Sequence, residues 1–141
     1  MSKFLTSLRV EELDDSSNDG RGTWRVLSML AYKSDVAGTV FIVPAGFITD
    51  FASVPRIPIA FLLTADTAHQ AAVVHDWLYT THEVARDVAD AVLREASIAS
   101  GVPAWRAWLM WAGVRVGGAS HFVAPATPQP AIVLSAVPAS I

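Results

Sequence analysis

The stretch Thr67-Ala68-His69-Gln70-Ala71-Ala72-Val73-Val74-His75-Asp76-Trp77-Leu78-Tyr79 is where the chain changes its hydrophobic period. Before it, apolar residues fall in short β-branched and aromatic runs; from Thr67 onward they recur at helical spacing. Thr67 suits the N-cap, because a threonine hydroxyl accepts a bond from the unpaired amides of a first turn. The spacing therefore predicts a helix from Ala68 to about Tyr79. A second helix is expected from about Val84 to Ser100, closed by Gly101, the residue type that helix C-termini prefer. Pro103 suits the first turn of a third helix ending at Gly117-Gly118.

Working back from Thr67, two strands are expected at Phe4–Val10 and Trp24–Tyr32, separated by the polar turn cluster Asp14–Gly20. A third run covers Thr39–Val43, after which Pro44 and Gly46 are expected to end regular pairing. The simplest arrangement is a small antiparallel β-meander. Strands first and three α-helices afterwards make the class α+β rather than alternating α/β. The expected organisation is one α+β domain over residues 1–122 and an extended C-terminal arm over 123–141. The arm carries Pro125, Pro128, Pro130 and Pro138, which disfavour a helix. It has no charged side chain and includes Ile132, Val133 and Leu134, which suits strand addition to a neighbour's sheet edge.

Hydrophobic residues make up 52% of the 141 and charged residues 16%, against about a quarter charged in ordinary soluble domains. The surplus apolar surface needs a dense core, a subunit interface or a membrane. A membrane span is disfavoured: the most apolar window, Val102–Gly118, is interrupted by Arg106 and Arg115 and falls short of the roughly 20 residues a span needs. Met1-Ser2-Lys3-Phe4 opens no run of signal-peptide length. With no cysteine in the chain, disulfides and thiolate metal sites are excluded, as suits synthesis in a cytoplasm. The net charge of −3 offers no electrostatic attraction to nucleic acid. No glycine-rich phosphate loop and no nucleophile elbow is present. A protein–protein interface is the expected destination of the surplus.

The succession Phe41-Ile42-Val43-Pro44-Ala45-Gly46-Phe47-Ile48-Thr49-Asp50-Phe51-Ala52-Ser53-Val54-Pro55-Arg56, then Ala71–Tyr79 with His75-Asp76, then Arg86, Ala89-Asp90 and Gly101–Arg106, resembles an uncharacterised phage and prophage family, domain of unknown function 1353. The likeness runs from about Phe41 to Gly118. It implies a phage-encoded protein and no particular activity; residence in the virion, after synthesis in the host cytoplasm, is the expectation that goes with a structural role.

Asp50, His75, Asp76 and Asp90 carry ligand types suited to a divalent metal such as zinc or manganese. Adjacent helical positions point about 100° apart, so His75 and Asp76 converge on one ion only in a wide, shallow site. A metal-assisted hydrolase would draw its catalytic groups from His75, Asp76 and Arg86. The structural alternative makes His75 a satisfied core histidine, and Arg86, Asp90 and Arg94 an exposed ion-pair ladder at i, i+4, i+8. On that reading no cofactor is needed. Asp15-x-Ser17-x-Asp19-Gly20 opens like a calcium loop, but its twelfth position is Val26, which offers no oxygen, so an acidic turn is expected.

Trp105, Trp108 and Trp111 recur every third residue in a helix apolar nearly all round, a pattern expected of a core or interface. Two functional expectations follow. The first is a virion structural or assembly protein of the tail or baseplate. It would dock on other particle proteins in an oligomeric assembly through Trp105, Trp108, Trp111 and the arm. The second is a small metal-dependent hydrolase acting on cell-wall material in entry or lysis.

Overall fold

The computed structural model describes residues 1–14, 23–49 and 69–123. Six short strands come first: β1 (Lys3–Phe4), β2 (Val10–Asp14), β3 (Thr23–Val26), β4 (Leu30–Ser34), β5 (Thr39–Val43) and β6 (Ile48–Thr49). The helices α1 (His69–Thr81), α2 (Arg86–Ala99), α3 (Ala104–Gly117) and a short α4 (Ala119–Val123) follow. The class is α+β. The expected arm lies outside the described residues except for Val123, which ends α4.

The strands build two antiparallel sheets, β1-β4-β5 and β2-β3-β6, in place of one meander. Each of the two long runs expected from sequence is shared between them: Phe4–Val10 supplies β1 and the start of β2, and Trp24–Tyr32 supplies β3 and β4. A side chain holds the corner. The Thr6 hydroxyl donates to the Met29 carbonyl at 3.0 Å and accepts the Ala31 amide at 2.9 Å, standing in for ladder bonds where the chain turns. Leu27 donates to the Arg9 carbonyl on the other side of the turn.

Pro44 and Gly46 interrupt pairing without ending it. Gly46 adopts φ +97°, a conformation that side chains oppose. Its amide donates to the Val26 carbonyl at 2.8 Å, and the Val26 amide donates to Phe47 at 2.8 Å. The chain thus passes from β5 in one sheet to β6 in the other, where Ile48 and Thr49 pair with Arg25 and Trp24.

α1 is the centre of the molecule. Every residue from Ala71 to Tyr79 is buried, as expected of a helix apolar on all sides. The sheets cover it with Val26, Tyr32, Phe41, Val43 and Phe47, and α2 adds Ala89, Val92, Leu93 and Ala96. α2 ends in a Schellman motif: Val102 donates to the Ser97 carbonyl and Gly101, at φ +97°, to that of Ile98, both at 3.0 Å. Pro103 sits at the N-cap of α3, one residue before the first turn expected for it.

Candidate functional site

Because α1 is buried along nine successive residues, the polar His75 and Asp76 within it both need partners. α2 supplies one. Its buried stripe is Ala89, Asp90, Val92, Leu93, Ala96 and Ser97, so Asp90 points inward with the apolar residues. The expected exposed ladder is therefore incorrect: the helical phase that puts Leu93 in the core puts Asp90 there too, while Arg94 stays exposed.

Asp90 joins three helices. His75 Nε2 lies 2.8 Å from its Oδ1, and both side chains are 0% exposed. Tyr79, one turn beyond His75 on the same face of α1, donates its hydroxyl to that oxygen at 2.5 Å. Arg115 of α3 donates to Oδ2 at 2.8 Å. Arg86 stands 3.9 Å from Oδ2 and donates its Nε to the Tyr79 hydroxyl at 3.2 Å. Arg86 Nη2 donates to the carbonyls of Val114 and Arg115 at 2.7 and 2.9 Å, in the last turn of α3, where the Val114 carbonyl also accepts the Gly118 amide at 2.9 Å.

Electrostatics follow from this wiring. Burial alone pushes the Asp90 carboxyl up, but the hydrogen bonds from His75, Tyr79 and Arg115 outweigh it and hold it below the ordinary carboxylate value. Burial lowers the His75 pKa against the opposing pull of Asp90. His75 is thus a neutral imidazole whose Nε2 carries the proton, since a carboxylate only accepts. Burial and the bond to Asp90 push the Tyr79 hydroxyl up. At neutral pH the network holds one carboxylate, two guanidiniums and two neutral donors.

Gly118 completes the packing. A β-carbon there would lie 2.6 Å from the Val114 carbonyl and 2.8 Å from the Tyr79 hydroxyl. Just beyond it, Phe122 of α4 packs edge-on to Tyr79 at 5.1 Å and stacks on His82 at 4.1 Å.

Of the expected metal set, the structure brings His75 and Asp90 together and sends Asp76 elsewhere. Asp76 Oδ2 accepts the Thr49 hydroxyl at 2.6 Å, tying β6 to α1. Asp50 lies outside the described residues, as do most of the acidic turn and Ile132, Val133 and Leu134. Among the described residues no group of three or more His, Asp or Glu side chains is placed to hold a metal. Arg86, expected as a catalytic candidate, binds the end of α3. Sequence reasoning missed Tyr79 and Arg115 as partners of Asp90. The i, i+4 spacing of His75 and Tyr79 was the available signal for the first; Arg115 is 25 positions away and gave none.

The tryptophans divide. α3 turns Ala107, Met110 and Val114 to the core, leaving Trp105 and Trp108 56% and 48% exposed, with Leu109 beside them. Trp111 is half-buried, its ring 6.4 Å from that of Trp108. A core position for Trp105 and Trp108 is thus excluded, because the helical phase that turns Ala107, Met110 and Val114 inward turns both indoles outward.

The model of the family described as "Protein of unknown function (DUF1353)" matches residues 24–114. The chain belongs to the DUF1353 family. The DUF1353 match extends from β3 through most of α3, so His75, Tyr79, Arg86 and Asp90 lie inside it, and Arg115 and Gly118 just beyond. No curated protein and no solved structure matches this DUF1353 chain.

Proposed function

We propose that this chain is a virion-associated structural or assembly protein of a phage, in the tail or baseplate region, docking on other particle proteins through the outer face of α3. The observation that carries this reading is the pair of half-exposed tryptophans, Trp105 and Trp108, with exposed Leu109, on a helix whose opposite face is in the core. Large indoles on a surface mark contact sites, because each brings much apolar area at little conformational cost. The low charge content and the uncharged sequence from Val123 to Ile141 support the same reading. The phage setting rests on the family resemblance.

The chemistry that looks catalytic supports it as well. His75 and Asp90 form the dyad that orients a general base in many hydrolases, yet here both are fully buried. Tyr79, Arg86 and Arg115 complete the circle. This is how a scaffold joins helices. A metal-dependent hydrolase would rest on the His75–Asp90 pair, with Asp76 turned to Thr49.

The test is quantitative mass spectrometry of purified particles of the encoding phage, comparing the wild type with Trp108→Ser. A fixed small number of copies per particle, reduced in the variant, is the expected result. Absence of the chain from clean particles would refute the structural reading. Stoichiometric zinc or manganese in the purified protein, lost in His75→Ala, would favour the hydrolase.

A further inference from the structure

Among the described residues, four strands lie at sheet edges: β1 and β5 in one sheet, β2 and β6 in the other. An open edge carries unpaired amides and carbonyls, and sheets guard it against other chains by shortness, charge or a bulge. Three of the four edges are guarded. β1 and β6 have two residues each. β2 bears Glu11, Glu12 and Asp14 and shifts its register between Glu12 and Asp14. β5, Thr39-Val40-Phe41-Ile42-Val43, has none of these protections. It is five residues long, and no charged residue occurs from Val36 to Thr49.

β4 shows which groups of β5 point outward. The Ala31 carbonyl accepts the Leu5 amide at 2.8 Å, and the Ala31 amide donates to the Thr6 hydroxyl at 2.9 Å, so both groups of Ala31 turn to the β1 side. Residues opposite one another in an antiparallel pair alternate between bonded and non-bonded. Ala31 and its partner Ile42 are thus a non-bonded pair, as are Lys33 and Val40 two positions along. Val40 and Ile42 therefore direct their amides and carbonyls away from β4. Among the described residues nothing else bonds them there. Val40 is 37% exposed. Pro44, next in the same alternation, has no amide and ends the row.

We propose that β5 is the interface with a second copy of this chain, pairing antiparallel with β5 of that copy about a two-fold axis at Phe41. In that register Val40 meets Ile42 of the second copy and Ile42 meets its Val40. Each pair exchanges two hydrogen bonds, so every outward amide and carbonyl of both strands is satisfied. Two outward residues spaced by one are their own complement under a two-fold axis. A foreign strand finds no charge here to recognise, and a second copy finds none to repel it. Lys33, opposite Val40 on β4, stays three strand spacings from its counterpart, about 14 Å, beyond the screening length of about 8 Å. The contact is small, below about 1,200 Å², so the dimer forms and separates readily. It leaves the α3 face free, so the inference goes beyond the particle reading and stands without it.

The test uses the full-length protein from low to high micromolar concentration. Sedimentation velocity gives the oligomeric state, and amide hydrogen exchange followed by NMR gives protection residue by residue. The expected result is a monomer–dimer equilibrium in which the Val40 and Ile42 amides exchange at least tenfold more slowly as the dimer forms. The Phe41 amide, already bonded to β4, should not change. Val40→Pro removes one outward amide from each copy, and with it two of the four bonds, at an edge position where proline is tolerated. Its dissociation constant should rise at least tenfold while circular dichroism matches the parent. Should that variant not fold, the exchange comparison on the wild type decides alone. Trp108→Ser should leave the dimer intact. A monomer at every concentration would overturn the inference, as would a dimer that protects neither Val40 nor Ile42. A dimer lost in Trp108→Ser but kept in Val40→Pro would also overturn it, moving self-association to α3.

Discussion

Removing the Asp90 carboxylate is the most searching perturbation of this fold. In Asp90→Ala, three donors lose their acceptor at once: His75, Tyr79 and Arg115. The partners differ in what they can recover. Arg115 is about a third exposed and turns to water, whereas His75 is fully buried and cannot. Breaking a buried ionic group from one side costs about 3–5 kcal/mol, a large share of a total stability of about 5–15 kcal/mol. At roughly 3 °C per kcal/mol for a chain of this size, the melting temperature should fall by about 9–15 °C. Asp90→Asn keeps one carbonyl oxygen for His75 and Tyr79 but turns an amide donor towards Arg115, so about 1.5–3 kcal/mol is expected, the loss of one charge-assisted bond. The assay is urea denaturation followed by circular dichroism, with Arg115→Ala and the double variant closing a thermodynamic cycle. If Asp90→Ala lay within about 1 kcal/mol of wild type, or if the Asp90 and Arg115 variants were additive, the argument that this network joins the helices would be wrong.

Stability should also depend on pH with a definite sign. The folded-state values of His75 and Asp90 are both depressed. Each therefore contributes stability that is present above its unfolded value and lost as pH falls through the folded one. The urea midpoint should begin to decline below about pH 6.5, where His75 of the unfolded chain takes up a proton, and again below about pH 4, where Asp90 of the unfolded chain does. His75→Gln should flatten the first decline, and an unaltered profile in that variant would contradict it. Gly118→Ala should destabilise by about 1–3 kcal/mol by urea titration, because its methyl group meets the Val114 carbonyl and the Tyr79 hydroxyl. Trp108→Ser should stay within about 0.5 kcal/mol of wild type in the same titration, separating its role from that of the core residues Met110 and Val114.

The order of elements was legible because it rests on local signals. Short β-branched and aromatic runs precede Thr67, helical spacing follows it, and Gly101 punctuates α2 where a left-handed residue is needed. The division into two sheets was not legible. Nothing local shows that Thr6 would hold the turn at Met29 and Ala31, more than twenty positions away. The orientation of α3 was hidden for a different reason: Ala107, Met110 and Val114 are apolar, and so are Trp105, Trp108 and Leu109, so no contrast indicated which face turns inward. The candidate site was half legible. His75 and Asp90 stood out by residue type, but an aspartate flanked by two arginines at helical spacing reads as a surface pair. Only its phase with Leu93 and Ser97 places it inside.

The grip of Arg86 on the last carbonyls of α3 has a thermodynamic consequence for anything that meets the outer side of that helix. Its guanidinium fixes the end of α3 against α2, and Arg115 fixes it again through Asp90. The helix that carries Trp105 and Trp108 is therefore tied to α2 before contact. A partner has only side-chain rotamers left to order, at about 0.5–1.5 kcal/mol each. Residues outside the contact would in that way set how tightly the surface binds. Loosening Arg86 should weaken association through entropy, without altering a single atom of the contact.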